Sequence, residues 1–345
     1  MEESDVLRLL DVNLNRAAEG LRTLEDIARV VRCDVSVASW TKSLRHELAR
    51  LASDIPRSER LKARAVHSDA GTALTSTAEV HRDQWSDLIA AAAERILQSL
   101  RVLEESSKRH FPNWSARCKQ FRYQAYDRLA QIELRLTSDD CVFRAPSVYL
   151  LVDCQLPVEA FVGRLRQLYD AGVGLFQIRD KACEASVLVR FCRAAVDAVG
   201  ADQVIVNDRV DIALASGARG VHVGQEDLPI DSVQRLASGR LWIGVSTHNQ
   251  EQARAAQAAG ADYIGCGPTF PSKTKQFYNF SGLDFLRFAA QEIDVPAYAI
   301  GGITSENLPS VLTTGVSRVA ISSAIWAADS PIAEAHRFAS LLSHR

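Results

Sequence analysis

No apolar run in this sequence approaches the roughly 18 residues that a bilayer-crossing helix needs, so no membrane partner is expected. Runs of about five or six like charges are missing as well, which argues against a nucleic-acid arm or a polybasic patch. The 7 cysteines (Cys33, Cys118, Cys141, Cys154, Cys183, Cys192 and Cys266) form no C-x-x-C pair and are odd in number. That is the pattern of buried thiols in a reducing compartment, not of a disulfide framework or a zinc site. The first residues, Met1 to Asp5, are acidic and lack the basic-then-apolar order of a signal peptide, so a soluble, cytoplasmic protein is expected. A disordered composition is also missing, since 47% hydrophobic and 24% charged residues can bury a sizeable core. With 40 basic against 42 acidic residues the formal net charge is -2, which favours small-molecule partners and no nucleic acid.

What is present comes in two textures. A length of 345 residues exceeds the roughly 100 to 200 of a usual domain, so two domains are expected. In the first part Leu10, Leu14, Ala17, Leu21, Leu24, Ile27 and Val31 recur three and four residues apart, on one face of a helix. Further helices are predicted over Val37–Ser53, His81–His110 and Trp114–Leu136, with Pro56, Gly71 and Pro112 in the connections. The run Arg16 to Asp26 resembles Arg95 to Glu105 at a constant offset of 79 residues, which suggests a duplicated helical hairpin. Arg16, Glu19, Arg22, Glu25, Asp26, Arg101, Glu104 and Glu105 read most simply as exposed pairs three and four residues apart on helix faces. An all-α helical domain is therefore expected over 1–138, with a structural or dimerising role as its simplest reading.

After about residue 140 short β-rich runs alternate with Ala-rich amphipathic helices, the signature of βα units and a parallel sheet. Strands are predicted at Val148–Val152, Gly174–Ile178, Gln203–Val206, Gly220–Val223, Leu241–Val245, Tyr263–Cys266, Ala297–Ile300 and Arg318–Ile321. Eight such units in about 200 residues predict an α/β fold, a (β/α)8 TIM barrel over 146–345. A doubly wound sheet is the alternative, but Val152 to Pro157 is not the glycine-rich loop that fold carries after its first strand.

In a barrel the site is built at the C-terminal strand ends. Alternation sends Gln177, Arg179 and Lys181 one way and Ile178 the other. Strand 3 ends in Asn207-Asp208-Arg209-Val210-Asp211 and strand 4 in His222-Val223-Gly224-Gln225-Glu226-Asp227, so carboxylates from neighbouring strands face a cationic site. That arrangement suits a magnesium ion (Mg2+) bridging a pyrophosphate, with a structural ion pair as the plainer alternative. Strand 6 leads into Ser272-Lys273-Thr274-Lys275, a loop of hydroxyls and ammonium groups suited to phosphate oxygens. Gly301-Gly302 after strand 7 and Ser322-Ser323 after strand 8 suit a second phosphate pocket built from backbone N–H groups.

Taken in order, these strand ends resemble the thiamine phosphate synthase family (thiamine-phosphate pyrophosphorylase) over about residues 148 to 328. The resemblance implies that Gln177, Arg179, Lys181 and Asn207 contact an aminopyrimidine pyrophosphate, with Asp208 and Asp227 as magnesium ligands and Ser246 and Lys275 completing that site. It implies that Ser272, Thr274, Gly302, Ser322 and Ser323 meet a thiazole phosphate. Ser322 stands where the family often has an aliphatic residue, which a backbone contact tolerates. The implied reaction is dissociative: Arg179, Lys181 and Lys275, with Mg2+, stabilise charge developing on the leaving pyrophosphate, and the thiazole nitrogen then attacks. That nitrogen carries no proton, so His222 and His248 are read as positioning or core residues and not as bases.

Two rivals remain for the barrel. A thiazole tautomerase shares the fold and phosphate pocket but ionises no pyrophosphate, and Lys181, Asp208, Asp227 and Lys275 argue against it. A non-catalytic metabolite-binding barrel would be expected to lose some of these groups. The helical half, through Asn13 to Asp26 and His67 to Gly71, resembles a small domain sometimes fused to such synthases and proposed to phosphorylate hydroxymethylpyrimidine phosphate. No G-x-x-x-x-G-K-[ST] loop supports a kinase there. The sequence leaves the oligomeric state open, a homo-oligomer included.

Overall fold

The computed structural model describes residues 2–32, 34–64, 84–137, 143, 145–271 and 280–343. Its contacts divide the chain into two compact units, Met1–Val142 and Phe143–Arg345.

The first unit is helical: α1 (Glu3–Asp26), α2 (Val35–Ser53), α3 (Arg57–Lys62), α4 (Trp85–Ser107) and α5 (Pro112–Thr137). The α1 stripe of Val6, Leu10, Leu14, Ala17, Leu21 and Leu24 is buried against a matching stripe of α4, Ile89, Ala92, Ile96, Leu100 and Leu103, in one apolar core. Past Asp26 the helix widens into a turn over Ile27–Val31, closed by the Arg32 N–H on the Ile27 carbonyl at 3.0 Å. Asp34 then caps α2 by accepting the Val37 N–H at 3.1 Å. The helix predicted from His81 begins at Trp85; its first residues lie outside the described ones.

The expectation of exposed charge pairs fails for Glu25 and Glu104, which are buried. Each is held by a guanidinium of its own helix, Arg22 at 3.2 Å and Arg101 at 3.3 Å, and by one from the next helix, Arg45 at 2.9 Å and Arg122 at 2.8 Å. The second guanidinium is what permits burial, since a carboxylate leaving water needs its lone pairs occupied. Glu25 with Arg22 and Arg45 repeats as Glu104 with Arg101 and Arg122, so the two hairpins share an ion-pair arrangement as well as a sequence pattern.

The second unit is a closed barrel of eight parallel strands in sequence order. They are β1 (Val148–Val152), β2 (Leu175–Ile178), β3 (Val204–Asn207), β4 (Gly220–Val223), β5 (Trp242–Thr247), β6 (Tyr263–Cys266), β7 (Ala297–Ile300) and β8 (Val319–Ile321). β8 pairs with β1 through Val148 and Val319, which closes the sheet and rules out the doubly wound alternative. Between them run α6 (Val158–Asp170), α7 (Ala185–Val199), α8 (Val210–Ser216), α9 (Ile230–Ala237), α10 (Gln250–Ala258), α11 (Gly282–Glu292) and α12 (Leu308–Leu312). After β8 come the single turn α13 (Ser323–Trp326) and α14 (Pro331–Ser343).

Strand alternation sorts the side chains into two layers. Val148, Leu150, Phe176, Ile178, Val204, Val206, Val221 and Val223 join the helices in the outer core. Tyr149, Leu175, Ile205, Trp242, Tyr263, Tyr298 and Ala320 fill the barrel interior. Phe143 stacks on Tyr263 with ring centroids 4.7 Å apart and meets Trp242 edge-on at 5.1 Å. The Tyr298 hydroxyl donates to the Pro146 carbonyl at 2.8 Å, so the segment leading into β1 packs against these interior rings.

Candidate active site

β2, β3 and β4 bring six of the expected residues, Gln177, Arg179, Lys181, Asn207, Asp208 and Asp227, to one side of the barrel mouth. Gln177 is an inward position of β2 and is 3% exposed. Arg179 and Lys181 follow it; the Arg179 N–H donates to the Val152 carbonyl at 2.8 Å, which ties the end of β2 to β1. Lys181 is largely exposed, and its Nζ lies 3.0 Å from an Asp208 carboxylate oxygen.

Asp208 takes a left-handed backbone, φ 59°, and the Arg209 N–H reaches back to the Asn207 carbonyl at 2.7 Å across it, forming a tight three-residue turn. Such a conformation costs a non-glycine residue about 1 kcal/mol or more. Its own N–H is held by the His222 carbonyl at 2.8 Å, so β4 fixes the turn. The strained turn sets the Asp208 carboxyl where it and Asp227 influence one another. Burial and the adjacent Asp227 push the Asp208 carboxyl up, against the pull of Lys181. Asp227 is drawn down despite its own burial, by the Gly224 N–H at 2.8 Å, by Asp208 and by Lys181. Two neighbouring carboxylates that resist joint ionisation form a site that gains from added positive charge.

A second arrangement lies within the barrel. The Gln177 amide donates to the Tyr149 hydroxyl at 2.6 Å, and Tyr149 and Tyr263 hydroxyls are 2.9 Å apart. The Tyr263 hydroxyl is 3.2 Å from His222 Nδ1, and His222 Nε2 is 2.9 Å from Ser246 Oγ. Burial lowers the His222 pKa to about 4, against the opposing pull of Asp227 and with a smaller push from Arg179, so the ring is neutral near pH 7. Burial also pushes both tyrosine hydroxyls up, so they stay protonated. Register makes the chain possible: His222, Gly244 and Tyr263 are direct neighbours across β4, β5 and β6. A Cβ on Gly244 would lie 2.1 Å from the Tyr263 ring and 2.5 Å from His222 Nδ1. The two tyrosines were missed by sequence reasoning, although alternation along β1 and β6 made their parity available.

The other side of the mouth carries β5 to β8. His248 Nδ1 contacts the Gly267 carbonyl at 2.5 Å, and the Ser281 hydroxyl donates to the His248 carbonyl at 2.6 Å. His248 thus braces both stems of the β6 loop, a positioning contact. Gly301 and Gly302 have φ of 95° and 65°. A Cβ on Gly302 would meet the Pro271 carbonyl oxygen at 2.4 Å, so the closest approach that demands glycine comes from the chain's own loop. Ser322 and Ser323 stand where β8 turns into α13, with the Trp326 N–H on the Ser322 carbonyl at 2.9 Å. The expected Ser272, Thr274 and Lys275 lie outside the described residues. Among the described residues no group of three or more His, Cys, Asp or Glu is placed to hold a metal, so a bound cation would rely on the Asp208 and Asp227 pair and on ligand oxygens. No helix among the described residues is long and apolar enough to cross a membrane.

Residues 148–325 match the family described as Thiamine monophosphate synthase, and residues 8–131 match the ThiD2 family. The chain is 40% identical to the thiamine-phosphate synthase of Rhodopirellula baltica over 94% of its own length and 89% of that protein. It is 38% identical to that of Gloeobacter violaceus, over 96% of this chain and 95% of that one. Among solved structures, the thiamine phosphate pyrophosphorylase of Pyrococcus furiosus aligns at 30% identity and a TM-score of 0.51, over 57% of this chain and 95% of its own. The curated relatives are thus matched across both units.

Proposed function

The chain belongs to the thiamine-phosphate synthase family and is a transferase of thiamine biosynthesis, and on that footing we propose the reaction its barrel performs. It joins 4-amino-2-methyl-5-(diphosphooxymethyl)pyrimidine to 4-methyl-5-(2-phosphooxyethyl)thiazole, giving thiamine phosphate and pyrophosphate. The observation that carries this reading is the Asp208 and Asp227 pair beside Lys181, at the rim that Gln177 and Arg179 also border.

The donor set is all oxygen and holds more negative charge than Lys181 balances, which fits a hard divalent cation completed by phosphate oxygens. Asp208 and Asp227 would hold Mg2+, which when bound neutralises charge on a pyrophosphate. Gln177, whose Nε2 is engaged by Tyr149, keeps its carbonyl oxygen to accept from the pyrimidine amino group. Asn207 adds a further amide at the same rim. As the methylene C–O bond breaks, its electron pair leaves with the pyrophosphate, and Arg179, Lys181, Ser246 and Lys275 stabilise the growing charge there. Removing one such group costs about 100- to 1000-fold in rate where it acts on the developing charge. The thiazole nitrogen then forms the new C–N bond, its phosphate held by Ser272, Thr274, Gly302, Ser322 and Ser323. No proton leaves the attacking nitrogen, so no general base is required, consistent with a neutral, buried His222.

Pyrophosphate release by the full chain, with both substrates and Mg2+, tests the reading. Release that needs both substrates supports it, and tight binding without release would turn the barrel into a metabolite-binding module. Conversion of a thiazole carboxylate phosphate tautomer without pyrophosphate chemistry would mark the tautomerase alternative.

For the helical unit, taken as 1–138 against a barrel domain of 146–345, a structural role is the reading that the buried Glu25 and Glu104 triads support. The competing reading is phosphorylation of hydroxymethylpyrimidine phosphate, which would supply the barrel's substrate. ADP and pyrimidine diphosphate formed by the full chain from ATP and the monophosphate would establish the kinase; neither product would leave the structural role.

A further inference from the structure

The polar chain inside the barrel has a direction, and we propose that Tyr149, Tyr263 and His222 are positioning residues, which fix the Ser246 hydroxyl as a donor toward bound anionic oxygen. The identity of that anion, a pyrophosphate, rests on the function proposed above.

The direction follows from donor counting. The Gln177 amide nitrogen can only donate, and it lies 2.6 Å from the Tyr149 oxygen. Tyr149 has one proton, and the acceptor in reach is the Tyr263 oxygen at 2.9 Å. The Tyr263 proton then points to His222 Nδ1 at 3.2 Å. A ring that accepts at Nδ1 keeps its proton on Nε2, which donates to Ser246 Oγ at 2.9 Å. The serine oxygen is thereby occupied as an acceptor, and its own proton is left for a ligand. The reverse order fails at Gln177, because the Tyr149 proton would face an amide N–H in a buried interior where an unsatisfied donor is costly.

Backbone geometry holds the chain's last member in place. Ser246 lies two residues beyond Gly244 on β5, so both face the interior, and the Gln225 side chain donates to the Ser246 carbonyl at 2.6 Å. A hydroxyl compelled to donate suits a phosphoryl oxygen, which only accepts, and needs no rotamer search when the ligand arrives.

Two measurements on the full chain test this. In the substrate-free protein, a long-range proton–nitrogen spectrum of labelled histidines should show His222 as the Nε2–H tautomer, identified by its loss in His222→Gln. Tyr263→Phe should let the Nδ1–H form appear. An Nδ1–H ring in the unsubstituted protein overturns the proposal. In steady-state pyrophosphate release, Tyr263→Phe should lower kcat about tenfold, yet lower it no further in a Ser246→Ala background. A packing role alone would cost the same factor in both backgrounds, and that result also overturns it. If the unsubstituted chain releases no pyrophosphate, the proposed function fails, while the tautomer still decides the donor order.

Discussion

Gly244→Ala is the sharpest perturbation of the barrel interior. The added Cβ would lie 2.1 Å from Tyr263 Cζ, 2.4 Å from its hydroxyl and 2.5 Å from His222 Nδ1. Ordinary van der Waals contact needs about 3.5 Å or more, so the tyrosine ring must retreat by more than an ångström. It has little room, because Tyr149 and Tyr298 pack edge-on against it and Phe143 stacks on its face. Overpacking of this kind costs about 1–3 kcal/mol, and displacing the hydroxyl strands a buried polar group for about 1–3 kcal/mol more. The alanine recovers about 0.5–1 kcal/mol of strand entropy. The net loss, about 1–5.5 kcal/mol, corresponds to a fall of about 2–22 °C in the barrel's Tm, read by near-ultraviolet circular dichroism of the full chain. Truncating the obstacle with Tyr263→Leu should remove most of the penalty that alanine adds. A Tm within about 2 °C of the unsubstituted chain, or an undiminished penalty in the Leu background, would refute the steric account.

Asp208→Asn should abolish most pyrophosphate release, by about 100-fold or more, while leaving the Tm unchanged or raised, since asparagine tolerates φ 59° and the repulsion with Asp227 disappears; activity and melting assays on one preparation check both. Asp34, buried and paired with Arg135, has a carboxyl held low by that guanidinium and by the Val37 N–H, against its burial. Its folded pKa lies below the unfolded value, so its contribution is complete above about pH 4 and is lost as pH falls through the folded value. Asp34→Asn should therefore cost about 3–5 kcal/mol near pH 7, and urea titrations should show the gap closing as the pH drops below 3.8, with a constant gap at all pH values counting against the pairing. Burial pushes the Cys192 and Cys266 thiols up to about 12, so the native chain at pH 8 should leave both unalkylated by iodoacetamide while the urea-unfolded chain reacts, as peptide mass mapping would show.

Much of the barrel was readable locally. All eight predicted strands overlap the observed ones, with ends shifted by at most two residues, because a buried parallel strand between Gly-, Asp- and Pro-marked turns is a short-range signal. The placement of Gln177, Arg179, Lys181, Asn207, Asp208 and Asp227 was equally accessible, since each lies at the end of its strand or within a few residues after it. The ion pairs of the helical unit were misjudged because the partner that buries Glu25 comes from α2 and the one that buries Glu104 from α5, and helix spacing reports only on its own helix.

The sequence by itself determined the two textures of the chain, the parity of each strand and which polar groups stand at the strand ends, because these depend on period and order along the backbone. Tertiary structure alone decided what those groups meet. Registers across β4, β5 and β6 set His222 beside Gly244 and Gly244 beside Tyr263, and a shift of one residue would break the route from Gln177 to Ser246. The strained turn at Asp208 is held by the His222 carbonyl of the neighbouring strand, which accepts its N–H. Both are through-space relations between strands whose alignment depends on closure of the whole barrel, so they arise only once the strands are assembled.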